Sequence, residues 1–165
     1  MKPYADTNFF TRVYLALPES EQADRLVELA KSQEALLLPI TWLHRMELAN
    51  AFELSVWMGK PGGHPRVSAQ NAAVAYETFR ADLADEAFLG EAAIDHSQLH
   101  ALFAALVVRH TAKYGFRTYD ILHVASARLL GCDHFFSFDA RANKLAQLEG
   151  LKTNPVQSVL HQPGT

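Results

Sequence analysis

The sequence predicts an α/β protein with a small, mainly parallel central sheet covered by helices on both faces. Three observations lead there. Short apolar runs of strand length recur at residues 2–5, 35–40 and 134–138. Segments with apolar residues at helical spacing separate them. Ser or Thr stands before several of those segments and Gly behind, as helix caps require. Strands that alternate with helices pair in parallel, and a parallel sheet needs cover on both faces.

In chain order, residues 2–5 read as a short buried strand ending at Asp6. Pro18 precedes ESEQADRLVELAKS, a helix on Leu26, Leu29 and Ala30 with its acids concentrated early. Residues 35–40 form the second strand. Thr41 N-caps a helix whose apolar face is Leu43, Met46, Asn50, Leu54 and Trp57. GKPGGHP is the clear breaker cluster and reads as a loop between two long helices. Ser68 caps the next helix, with Ala72, Tyr76, Phe79 and Leu83 on one face. A short strand fits FLGEAAI. Residues 97–113 are helical on Leu99, Leu102, Phe103, Leu106 and Val107, closed by Gly115. Thr118 caps the helix carrying Asp120, and Gly131 ends it. Residues 134–138 are a strand, 140–149 a helix closed by Gly150, and 153–156 a last short strand interrupted by Pro155. The organisation expected is one domain over 1–157 and a flexible tail over 158–165.

A chain of 165 residues with a hydrophobic fraction of 49% can bury a sizeable core. The net charge is −3 and the pI about 6.2, without the basic stripe of a passive nucleic-acid binder. An enzyme whose bound metal supplies positive charge locally stays open. The single Cys132 excludes an intramolecular disulfide and fits a reducing cytosol. The N-terminus lacks a basic region followed by an apolar one, and the apolar run at 101–108 is too short to span a bilayer. A cytoplasmic protein with no membrane partner is expected.

Four acids carry most of the chemistry: Asp6, Glu47, Asp120 and Asp139. Asp6 and Asp139 follow strands, and ligands of open α/β folds bind beyond the carboxyl ends of strands. Asp120 lies in a first helical turn, where the dipole favours an anion. Glu47 is mid-helix on a largely apolar face, where a carboxylate needs a partner or a metal. Each has an ordinary structural reading as turn, cap or helix-end charge; four together are harder to explain that way. Gathered by the fold, they would form a negative pocket suited to divalent cations and phosphodiester chemistry. Thr7, Asn8 and Ser137 are candidates to orient the ligands, or ordinary turn and cap residues. Asn143 is one turn beyond Asp139 and a candidate for the same crevice. Arg117 and Arg141 are candidate phosphate contacts, with surface solvation as the competing role. His44 and His123 share helical faces with Glu47 and Asp120, and His123 reads as a packed helix residue. No glycine-rich nucleotide loop is present.

These residues carry a resemblance. Tyr4-Ala5-Asp6-Thr7-Asn8 resembles the D-T-N/S opening of PIN domains. The stretch from Arg117 to Ala127, RTYDILHVASA, resembles the family's R-x-x-D-x-x-H-x-A-x-A helix. Phe136-Ser137-Phe138-Asp139-Ala140-Arg141, with Leu145-Ala146 and Gly150-Leu151, resembles its closing segment, with Ser137 where Thr is common. Glu47 falls where the family has a helical glutamate. The ordered set spans about residues 1–156 and is most similar to VapC-type toxins, the ribonuclease half of toxin–antitoxin pairs.

The resemblance implies a three-layer α/β/α PIN-like fold and cleavage of RNA with one or two Mg²⁺ or Mn²⁺ ions. By motif, Asp6, Glu47, Asp120 and Asp139 take the catalytic and metal-site roles. Thr7, Asn8, Arg117, Ser137 and Asn143 stay the candidates, read from the residues themselves, for supporting or substrate roles. The resemblance also implies a VapB-type antitoxin and a homodimer; Phe9, Phe10 and Trp57 are candidates for exposure, and the sequence does not assign them to an interface. Two other readings compete. One is a PIN-fold interaction scaffold without catalysis. The other is a Mg-dependent phosphatase, disfavoured because its D-x-D motif would end at Asn8.

Overall fold

The computed structural model describes residues 1–32, 37–59 and 67–154. Its strands are β1 (Pro3–Ala5), β2 (Leu38–Ile40), β3 (Leu89–Glu91), β4 (His134–Phe136) and β5 (Lys152–Thr153). All ladders are parallel: β4 lies between β1 and β5, and β2 pairs with β3. β2 packs beside β1, and the seam is bridged by one imidazole. His44 Nδ1 accepts the Thr41 backbone N–H (3.0 Å), so its Nε2–H donates to the Ala5 carbonyl (2.8 Å). Burial, and the nearby His123, push the His44 pKa down to about 3, so the bridge is neutral.

The side-chain period of two divides the core into two layers. Ala5 and Phe136 face one layer, with Phe9, Phe10, Phe52 and Phe79. Tyr4 and Phe135 face the other, with Val124, Leu145 and Leu151. Helices α1 (Thr7–Tyr14), α2 (Ser20–Lys31), α3 (Trp42–Met58) and α4 (Ala69–Ala84) supply the first layer. The second is supplied by α5 (His96–Leu106), a π-helical turn at Val107–Thr111, α6 (Ala112–Tyr114), α7 (Thr118–Leu129) and α8 (Ala140–Leu148). The predicted three-layer architecture is the observed one.

Several local expectations are corrected. No helix was expected over 7–14, yet Asp6 caps one by accepting the Phe9 N–H (2.8 Å). Phe9 and Phe10 are therefore core residues, 0% exposed, rather than candidates for exposure. On α3 the buried side is Leu43, His44, Leu48 and Phe52, while Met46, Leu54 and Trp57 of the expected stripe are 66%, 46% and 63% exposed. That helix has apolar residues on nearly every side, so spacing alone could not choose its inner face. The helix expected to begin at Ser97 begins at His96, because Asp95 caps it by accepting the Gln98 N–H (2.8 Å). Arg117, not Thr118, occupies the α7 cap position, and its N–H is held by Asp120 Oδ2 (3.0 Å).

β4 stops at Phe136 because the next two backbone N–H groups turn to side chains, Ser137 to Asn154 Oδ1 and Phe138 to Asn8 Oδ1. The last strand is Lys152–Thr153 rather than 153–156. The GKPGGHP loop after Gly59, and the domain end and tail beyond Asn154, lie outside the described residues. Among the described residues no helix is long and apolar enough to cross a membrane.

Candidate active site

Asp6 extends from β1, its N–H bonded to the Phe136 carbonyl (3.1 Å). Asp139 follows β4 and caps α8, its Oδ1 accepting the N–H groups of Arg141 (2.7 Å) and Ala142 (3.3 Å). The two acids thus stand at the carboxyl ends of adjacent parallel strands. Glu47 comes from the middle of α3 and Asp120 from the first turn of α7. All four line one cleft of about 630 Å³. Thr7, Asn8 and Arg117 line it as well, with Arg12, Tyr119 and His123; Leu54 and Met58 form an apolar part of the wall.

Ser137 and Asn143 do not line the cleft. Ser137 is fully buried, and its Oγ accepts the Asp139 N–H (2.9 Å). The same hydroxyl is close enough to Asp6 to favour its ionised form, so one side chain acts on both strand-end acids. Asn143 Nδ2 donates to the Ser137 carbonyl (2.9 Å), a support beneath the turn rather than a group in the crevice. Asn8 has a similar double character. Its carboxamide oxygen anchors Phe138, and its backbone carbonyl accepts from Thr11 Oγ1 and Arg12 Nη1.

The carboxylates differ in their electrostatics. Asp6 is 5% exposed, and burial lifts its pKa to about 6. His123, Ser137 and the Phe9 N–H oppose that rise, and the charge of Glu47 adds to it. Burial would also raise Glu47, but the His123 hydrogen bond and charge, with a hydrogen bond from Thr7, outweigh it and hold the carboxyl below its usual range. Asp120 is raised, first by burial and then by the charge of Asp139, against the Arg117 N–H and the guanidinium groups of Arg117 and Arg141. Asp6 and Asp120 are thus carboxylates whose charge the protein does not fully compensate, and a cation in the cleft would relieve it.

His123 and Arg12 are the residues that sequence reasoning undervalued. His123 is 3% exposed, and its Nε2 lies 2.6 Å from Glu47 Oε2. It is packed, as expected, but wired into the site as well. Its position three residues after Asp120 was the available signal. Arg12 is fixed at the cleft wall by Asn8 O (3.1 Å), Thr11 Oγ1 (3.2 Å) and Glu19 (3.4 Å), with its guanidinium 5.9 Å over the Phe138 ring. Without α1, nothing in the sequence directs that side chain to the acids.

The donor set is made of carboxylate oxygens, which fit a hard cation such as Mg²⁺ or Mn²⁺ rather than a thiolate–imidazole zinc cage. Among the described residues no three His, Cys, Asp or Glu side chains are grouped as a ready-made cage. Mg²⁺ keeps several waters and uses one or two carboxylates, so such a cage is not needed.

No family model matches the sequence, and no curated protein matches it. Solved structures do. The VapC20 toxin of Mycobacterium tuberculosis, described as cleaving the sarcin–ricin loop, superimposes with a TM-score of 0.56 at 16% identity, over 87% of this chain and 94% of that one. A chain of the Rickettsia felis VapBC2 complex, bound to a DNA fragment from its promoter, does so with a TM-score of 0.61 at 15% identity, over 93% of this chain and 97% of that one. The fold is the PIN fold of VapC-type toxins. At these identities the likeness describes the backbone, and the chemistry rests on the residues in the cleft.

Proposed function

We propose that this chain is a metal-dependent endoribonuclease, the toxin of a toxin–antitoxin pair. The observation that carries this reading is the cleft itself. Acids from four separate segments line it, at the strand ends where α/β folds bind ligands, in a fold shared with an RNA-cleaving toxin. Asp6, Glu47, Asp120 and Asp139 would hold one or two Mg²⁺ or Mn²⁺ ions. When bound, such an ion neutralises phosphate charge and lowers the pKa of its water.

The chain's own groups divide the remaining work. Arg12 and Arg117 flank the acids and supply fixed positive charge for the phosphates of the substrate. Asp120, in the first turn of α7, holds the Arg117 N–H through Oδ2 and lines the cleft within reach of the Asp139 charge. Glu47, held low by His123 and Thr7, stays ionised as a ligand. Asp139 is oriented by the α8 N-terminus and Ser137.

A VapB-type antitoxin is the partner that the VapBC2 likeness supports, and an Arg from it would be attracted to these carboxylates. Exposed Met46, Leu54, Trp57 and Met58 on α3 supply apolar area for an antitoxin or for a homodimer.

Cleavage of total cellular RNA by the purified protein, with Mg²⁺, Mn²⁺ or EDTA, tests this. Discrete metal-dependent fragments are expected, at least 100-fold fewer with Asp120→Asn, a substitution that preserves the Arg117 cap. A folded, partner-free protein that cuts no RNA in either metal favours the non-catalytic scaffold instead.

A further inference from the structure

His123 connects parts of the cleft that are far apart in sequence. Its Nδ1 lies 2.8 Å from the hydroxyl of Tyr4, 119 residues away. Its Nε2 lies 2.6 Å from Oε2 of Glu47, 76 residues away. Thr7, next to Asp6, donates its hydroxyl to the same Glu47 oxygen at 2.7 Å. Tyr4 is fully buried, and burial pushes its phenol well above the ordinary value, so it stays protonated. With the imidazole neutral, Tyr4 O–H donates to Nδ1 and Nε2–H donates to Glu47; with it charged, both ring N–H groups donate and the bond to Glu47 is kept.

Two consequences follow for the site. Both ring nitrogens of His123 are occupied by protein groups, so the imidazole is not a candidate metal ligand although it lines the cleft. Oε2 of Glu47 is engaged by two donors, whereas among the described residues Oε1 makes no hydrogen bond. A glutamate on a helix has three side-chain torsions and no intrinsic reason to hold one orientation. Here Thr7 and His123 hold it, and Tyr4 in turn fixes the plane of the imidazole. The ring of His44 backs this assembly, its centroid 5.0 Å from that of His123 and 5.1 Å from that of Tyr4.

We propose that His123 is a positioning residue for Glu47. Braced by Tyr4, it clamps one carboxylate oxygen together with Thr7 and so presents the other to a divalent cation or its water. The proposal rests on the nuclease reading above. Groups that orient a metal-binding side chain typically change metal affinity or activity 10–100-fold.

The test measures Mn²⁺ binding calorimetrically on RNA-free protein and cleavage kinetics separately. Wild type is compared with Glu47→Gln, His123→Leu, His123→Gln and Tyr4→Phe, each checked for folding by circular dichroism. Tyr4→Phe keeps the buried ring and removes only the brace, so it remains informative if His123→Leu fails to fold. His123→Gln keeps an N–H directed at Glu47. The expected result is Mn²⁺ affinity reduced on the order of 10–100-fold in His123→Leu and Tyr4→Phe. A comparable fall in kcat, an unchanged KM for RNA and partial recovery in His123→Gln are expected with it. Folded Tyr4→Phe and His123→Gln variants with wild-type affinity and kcat, while Glu47→Gln loses both, overturn the positioning role and leave the nuclease intact. Wild-type protein that neither binds Mn²⁺ nor cleaves RNA overturns the nuclease reading itself.

Discussion

Replacing Asp6 with Asn should stabilise the metal-free protein while abolishing its proposed activity. Asp6 is 5% exposed and its pKa stands at about 6, against 3.8 for an unperturbed Asp. That is roughly two units, and at about 1.4 kcal/mol per unit the ionised form opposes folding by on the order of 3 kcal/mol. The folded pKa lies above the unfolded one. The native state therefore binds more protons between about pH 4 and pH 6. The stability associated with protonated Asp6 is fully present below about pH 4 and is lost as the pH rises through 6. Asn is neutral throughout, and its carboxamide oxygen can still accept the Phe9 N–H that starts α1.

Urea unfolding in EDTA should thus show Asp6→Asn more stable than wild type by on the order of 3 kcal/mol at pH 7.5. For a domain of this size that is roughly 6–12 °C in Tm. The gap should close towards pH 4. Added Mn²⁺ should stabilise wild type and not the variant, since a ligand that binds only the native state raises its stability. A variant less stable than wild type at pH 7.5, or a stability gap independent of pH, would refute the claim that burial of this carboxylate strains the apo site.

Two further predictions concern the frame. Glu149, its side chain 4% exposed, accepts from Arg109 (2.7 Å), His110 (2.7 Å) and Arg128 (3.0 Å), which ties α8 to the π-helical turn and to α7. Burial works against its charge, but these partners outweigh it and depress its pKa, so its stabilisation is present above the unfolded value and lost as the pH falls through the folded one. Glu149→Gln should lose on the order of 3 kcal/mol by denaturant unfolding at pH 7, with the deficit shrinking below pH 4; equal stability at both pH values would remove the tie. In β3, a Cβ added at Gly90 would sit 2.9 Å from Leu37 Cδ1 and 3.0 Å from Leu37 Cβ. Gly90→Ala should therefore destabilise by about 1–3 kcal/mol through overpacking, read as a lowered urea midpoint with unchanged slope.

The alternation of strands and helices was legible because side-chain periodicity and capping are local properties. Ser68, Gly115 and Gly131 ended or began their helices as expected, the two glycines at positive φ of 67° and 66°. The four acids, too, could be singled out from the residues around them. α1 went unseen because Asp6-Thr7-Asn8 reads equally well as a turn. The inner face of α3 went unseen because apolar residues surround that helix. His123 shows the limit most clearly. Its three-residue spacing from Asp120 is in the sequence, but its partners Tyr4 and Glu47 come from a strand and a helix that only long-range packing brings to it. Sequence by itself determined which residues could carry charge, cap helices and fill the core, since those depend on residue type and short spacing. Tertiary structure alone decided which carboxylates are buried, which face one another and which oxygen stays open, because burial and pairing depend on neighbours remote along the chain.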